Sequence, residues 1–165
     1  MYALNDGRLL KLRRLDMSDL DELLLIENSS FEFPWSREDF IRCLNCTEMK
    51  GMAATLDGSQ ILGFSISDRH KVTELINLAV LPEFRRLGVG RALVENLKNN
   101  YHALGCLIRE TNLPAHLFFK NQDFLATEIY KSHFENNEDA YCFVYKLKAS
   151  RLSPELVDAV IDNKY

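Results

Sequence analysis

Gly88 and Gly90, ringed by Arg85, Arg86 and Arg91, lie between an apolar run ending at Val80 and a helical pattern that opens at Val89. These residue types in this order suit an anion. Glycine lacks a Cβ, so the backbone at both positions is free to turn tightly and present N–H groups. A helix start adds unpaired amides and the positive end of its dipole. Arginine supplies fixed charge and forked donors that match phosphate oxygens. Three sources of positive potential therefore converge on one turn, and a phosphate-bearing ligand is the expected occupant. A basic turn that only caps a helix is the plain alternative; the apolar strand directly before the turn argues for the ligand site.

Two familiar phosphate loops fit poorly. A Walker loop needs Gly-Lys-Ser/Thr, and Gly90 is followed by Arg91-Ala92. A dinucleotide fingerprint needs a third small residue where Leu93 stands, and it starts almost directly after its strand, whereas residues 82 to 87 intervene here. Glu110 is placed about where a ribose-binding acid would lie, so a dinucleotide stays a rival. The spacing that fits is Arg/Gln-x-x-Gly-x-Gly, filled by Arg85, Gly88 and Gly90.

Other candidates are scattered along the chain. Glu27 continues the apolar face of Leu20, Leu23 and Leu24, where it either ends the buried stripe or faces an internal cleft. Phe31 and Phe33 form an aromatic cluster in a loop, where binding residues concentrate. Cys43 and Cys46 have metal-ligand spacing, but Cys106 and Cys142 sit in separate apolar runs and no histidine completes a set. Four small thiols and no metal are expected.

The elements that must hold these residues follow from periodicity and caps. Leu9 to Arg14 is expected as a strand, and Asp16 then starts a helix. Ser36 caps a second helix with Asp39 three residues on, and Trp35 can staple onto Phe40. Met49 to Leu56 and Ile61 to Ile66 are expected strands joined at Asp57-Gly58. Strand Glu74 to Val80, the Gly88 helix, strand Cys106 to Arg109, a helix from Leu113 to Asn121, and strands Phe124 to Lys131 and Ala140 to Leu147 complete the series. The strand-helix-strand unit demands a right-handed crossover, whereas the meander before it is antiparallel. An α/β fold results, with a mixed sheet and helices on both faces. Residues 1–148 are expected as one domain, and 149–165 as a tail in which Ser153-Pro154-Glu155 can open a helix.

Composition narrows the class further. At 165 residues and 47% apolar, one domain can bury a full core. The net charge of -4 argues against direct nucleic-acid binding. No signal-peptide pattern or membrane-length apolar stretch is present, so a cytoplasmic monomer or homodimer is expected.

The Arg85–Gly90 loop resembles the acetyl-CoA pyrophosphate loop of the GCN5-related N-acetyltransferase (GNAT) superfamily. The likeness extends to Ile108–Phe124, which is similar to the superfamily's next strand, its Asn-x-x-Ala helix at Asn112 and the turn after it. Phe33-Pro34-Trp35-Ser36 and Glu138-Asp139-Ala140 resemble the RimI type, which acetylates the N-terminal amine of a ribosomal protein. The match spans about residues 8 to 147.

The resemblance implies a mostly antiparallel twisted sheet whose central strands splay to admit the pantetheine arm. It implies cofactor contacts from Leu78, Ala79, Val80, Arg85, Arg86, Leu87, Gly88, Val89, Gly90, Arg91, Asn112 and Phe119. Glu27, Phe33 and Trp35 are implied on the acceptor side. The reaction would be attack of a neutral amine on the acetyl-CoA thioester. Glu74 matches the catalytic glutamate of the histone-acetylating branch and is the expected base. RimI-type enzymes instead carry a glutamate where this chain has Leu107, and a tyrosine acid where it has Phe119. A thiol of pKa about 8.5 leaves within roughly 1.5 units of neutral, so losing the acid costs about 2 kcal/mol and slows turnover without abolishing it. His133 is an alternative proton handler. A small-molecule amine remains open as acceptor, as does a catalytically weak acetyl-CoA-binding protein.

Overall fold

A computed structural model describes residues 1–146 except 57, 59, 70–72 and 102. In chain order it contains β1 (Tyr2–Ala3), β2 (Leu9–Arg14), α1 (Leu20–Ser30), α2 (Arg37–Asn45), β3 (Met49–Leu56), β4 (Ile61–Asp68) and β5 (Thr73–Val80). Then follow α3 (Val89–Asn100), β6 (Ala103–Arg109), α4 (Leu113–Lys120), β7 (Leu125–Tyr130) and β8 (Ala140–Lys146). Contacts group the described residues into two units: Met1–Arg69 with Leu75–Asn96, and residues 73–74 with 97–146.

In the first unit the strands run in the order β1-β2-β3-β4-β5, and β1 to β4 pair antiparallel. Alternation along the strands gives each face its own core. Ala53, Phe64 and Ala79 pack with Leu20, Leu23 and Ile26 of α1 and Phe40 of α2. Ala54 and Leu62 turn the other way, against Val89, Ala92 and Leu93 of α3. Helices thus cover both faces of this sheet. Phe40 is fully buried between Trp35 and Phe64, at ring distances of 5.5 and 5.6 Å, so Trp35 does staple the start of α2.

Gly63 of β4 meets β5 unusually closely. A Cβ there would lie 2.6 Å from the Ala79 carbonyl oxygen and 3.1 Å from Val80 Cα.

In the second unit the order is β5-β6-β8-β7. The parallel ladder of β5 and β6 comprises Thr73↔Leu104 and Glu74↔Gly105, while β6–β8 and β8–β7 are antiparallel. Leu104, Ile108, Phe119, Phe124 and Val144 are buried here. The strand set is mixed and mostly antiparallel, as the sequence implies.

Differences from expectation are local. Asp16 caps a 3-10 turn at Met17–Asp19 rather than α1 itself. Strand β1 has only two residues, too few for a periodic signal. β4 runs two residues past Ile66. Asp57 of the expected hairpin turn lies outside the described residues, although Gly58 has φ +82° as such a turn requires. The tail from 149 also lies outside them. Among the described residues no helix is long and apolar enough to cross a membrane.

Candidate active site

The phosphate loop begins where β5 ends. Leu81 donates to the Leu62 carbonyl, and Pro82–Phe84 form a 3-10 turn before the chain reaches Arg85. Arg86 and Gly88 then take left-handed conformations, with φ +61° and +102°. Gly90 does not: it lies in the first turn of α3, so only Gly88 supplies the tight turn expected of both. The Ala92 amide donates to the Gly88 carbonyl, and the amides before it at the start of α3 have no partner within the helix. Unpaired donors at a helix start are the group that a pyrophosphate satisfies, so the loop fits the ligand that the sequence implies.

The three arginines divide. Arg85 turns back, its Nε donating to the Val80 carbonyl at 3.0 Å and a terminal nitrogen to Ser30 Oγ at 3.2 Å. Arg91 pairs with Glu95 one turn along α3, at 2.7 Å. Arg86 is exposed beside the loop amides. Among the described residues, only Arg91 of the three is paired with an acid. Leu78, Val80 and Val89 belong to the α3-side core, and Ala79 is buried on the other face. Leu87 is half-buried in the turn, and its carbonyl accepts the Asn5 amide.

Glu27 lies in a buried polar cluster of the same unit. Glu27 is 1% exposed. Its carboxylate accepts the Trp35 amide at 3.0 Å and the Asn77 Nδ2 donor at 3.2 and 3.1 Å. Burial pushes its carboxyl above the ordinary value, against the pull of those two donors. Asn77 Oδ1 is buried and accepts no hydrogen bond from a described residue. Asn77 carries no motif in the sequence; its signal is a carboxamide on the inward register between the apolar Leu75 and Ala79. Phe33, by contrast, is 52% exposed in the loop before α2.

The second unit holds the remaining candidates. Glu74 is 9% exposed at the parallel ladder. Asn112 caps α4, its Oδ1 accepting the Ala115 amide at 3.2 Å. Next to it, Thr111 gives its amide and hydroxyl to Glu138, and Arg109 pairs with the same carboxylate at 3.0 Å. The Thr111 donors, helped by Arg109, hold the Glu138 carboxyl down at about 2. Phe119 is 5% exposed and packs edge-on to Phe118 and Phe124, at 5.1 Å from each. His133 is exposed, with its ring 5.0 Å from that of Phe134.

Among the described residues, no group of His, Cys, Asp and Glu could hold a metal. Burial pushes the Cys43 thiol up to about 11 and raises Cys106 and Cys142 as well, which makes all three poor nucleophiles.

Several known proteins are similar to this chain. An N-alpha-acetyltransferase of Sulfolobus acidocaldarius is 27% identical over 149 residues, covering 79% of this chain and 89% of the relative. The ribosomal protein bS18-alanine N-acetyltransferase of Escherichia coli is 26% identical over 146 residues, covering 76% and 90%. The crystal structure of the ribosomal-protein-S18-alanine N-acetyltransferase from Escherichia coli matches with a TM-score of 0.74 at 24% identity, over 88% of this chain and 99% of that one. A model of the acetyltransferase (GNAT) family matches residues 20–124, from α1 through the phosphate loop to the turn after α4, and the chain belongs to that family.

Proposed function

We propose that this chain transfers the acetyl group of acetyl-CoA to the α-amine at the N-terminus of a peptide or protein. The observation that carries the reading is the left-handed turn at Arg86 and Gly88 that leads into the N-terminus of α3, in a chain of the GNAT family. The acceptor is inferred from relatives named for N-terminal substrates and from the chemistry. An α-amine with pKa about 7.7–8.0 is partly neutral at pH 7, whereas a lysine near 10.4 is almost wholly charged.

Acetyl-CoA, a substrate, supplies the thioester carbonyl. The loop amides and Arg86 hold its pyrophosphate; Leu78 and Ala79 offer strand backbone to its arm, and Arg85 fixes the end of that strand through the Val80 carbonyl. The family resemblance assigns Asn112 and Phe119 to the cofactor as well. Phe33 and Trp35 receive the acceptor, and Glu27 supports that side through its bond to the Trp35 amide. Glu74 takes the proton from the amine, with His133 as the alternative. Phe119 packs but donates no proton, which leaves thiolate departure to solvent protonation. The reading places the protein in the cytoplasm, where its four unpaired cysteines remain thiols.

Thiol release from acetyl-CoA against a panel of N-terminal peptides and small amines tests the acceptor. Higher kcat/KM for a peptide class supports the proposal; a preference for a small amine overturns the acceptor assignment. Tight acetyl-CoA binding with no acceptor would identify a binding protein. NAD binding without acetyl-CoA binding would remove the phosphate-loop reading altogether.

A further inference from the structure

The N-terminal hairpin reaches the phosphate loop through one residue. Asn5 Nδ2 donates to the Arg86 carbonyl at 2.8 Å, and the Asn5 amide donates to the Leu87 carbonyl at 2.9 Å. The first of these bonds crosses 81 positions of sequence. In a trans peptide the C=O and the following N–H point in opposite directions. Drawing the Arg86 and Leu87 carbonyls toward Asn5 therefore aims the Leu87 and Gly88 amides away from it, out of the loop. Asn5 also holds Arg86 in a left-handed conformation that a side-chain-bearing residue seldom adopts unaided.

The hairpin is anchored well enough to act as a brace. Leu4 is buried with Val89, Ala92 and Leu93 of α3. Its amide donates to the Arg8 carbonyl and its carbonyl accepts the Gly7 amide, which closes the turn. Arg8 neutralises Asp6 through bonds of 2.9 and 2.6 Å, and its guanidinium carbon stands 5.5 Å from the Phe84 ring centroid. One side of the phosphate loop is thus fixed by residues 4 to 8.

We propose that Asn5 is a positioning residue for acetyl-CoA: it turns two loop amides toward the pyrophosphate without touching the ligand. The proposal rests on the phosphate-loop reading. Asn5 is exposed and its removal leaves the hydrophobic contacts of Leu4 in place, so Asn5→Ala is expected to fold.

The test compares donors with and without a pyrophosphate. Asn5→Ala should raise the calorimetric Kd for CoA and the KM for acetyl-CoA about five- to tenfold, with kcat at saturating donor unchanged. Its kcat/KM with S-acetylpantetheine, which lacks the pyrophosphate, should match the parent protein. Asn5→Asp, of similar size but with an acceptor facing the Arg86 carbonyl, should lose at least as much affinity for CoA. Gly88→Val serves as the control that disrupts the loop directly. If Gly88→Val weakens CoA binding and both Asn5 variants bind normally, the role of the Asn5 side chain is wrong, which overturns the proposal while the loop stands. If Gly88→Val also binds normally, the loop reading falls and the proposal with it. Equal losses with both donors would make Asn5 a general structural residue and overturn the proposal.

Discussion

The Asn77 carboxamide donates to both carboxylate oxygens of Glu27, tying the middle of β5 to the last turn of α1. The pair leaves Asn77 Oδ1 buried without a described donor while the fold disfavours the charge on Glu27. Protonation of Glu27 would remove the buried charge.

Stability should follow that balance. Folding raises the Glu27 pKa, so its contribution is fully present below the ordinary value near 4.5 and is lost as pH rises through the raised value. Glu27→Gln removes the titration and the buried charge while keeping a carbonyl oxygen for the Trp35 amide. Its melting temperature should exceed the parent's at pH 8, with the gap closing as pH falls to 4. Equal gaps at both pH values would show that Glu27 is not held in this way.

The arginines of the loop should separate by assay. Arg86→Ala should raise the Kd for acetyl-CoA about tenfold and flatten its salt dependence. Arg85→Ala should leave the Kd within about threefold but cost about 1 kcal/mol of stability, through the lost bond to the Val80 carbonyl. Calorimetry and urea unfolding of the two variants check the division.

Glu74→Gln should lower kcat by about 10²- to 10⁴-fold at pH 7 if the carboxylate is the base. Raising pH should recover part of the loss as more amine becomes neutral. An unchanged pH–rate profile for every accepted amine would remove Glu74 from the mechanism and turn attention to His133.

Glu138 provides the opposite pH response. Its folded pKa lies at about 2, below the ordinary 4.5, so its contribution is present above the ordinary value and fades as pH falls toward 2. Thermal melts of Glu138→Gln should show a deficit at pH 7 that shrinks below pH 4. Because Thr111 adjoins the α4 cap at Asn112, the same variant should loosen that cap, seen as faster exchange of the Ala115 amide.

Legibility in the sequence depends on range. Ser36, Asp39 and Trp35 are readable because caps and staples act within four residues, and the Gly88 turn because a left-handed glycine before a helix has a local signature. Gly90 is easily misassigned, because spacing alone does not separate a loop glycine from one inside the first helical turn. The reach of Arg85 back to Ser30 and the hold of Asn5 on Arg86 leave no trace, because their partners lie far away along the chain and belong to no short motif. Glu27 reads as a stripe end or a cleft residue, and its burial and hydrogen-bond partners are visible only in the fold. Asn77 is visible as a letter but becomes informative only when β5 places it opposite a carboxylate.

Gly63 carries a consequence for natural and laboratory variation. With the Ala79 oxygen where its methyl group would go, every codon change at this position must push the end of β5 away, and with it the start of the phosphate loop. Saturation mutagenesis scored for acetyl transfer should leave position 63 blank, while nearby Gln60, an exposed site, tolerates most replacements.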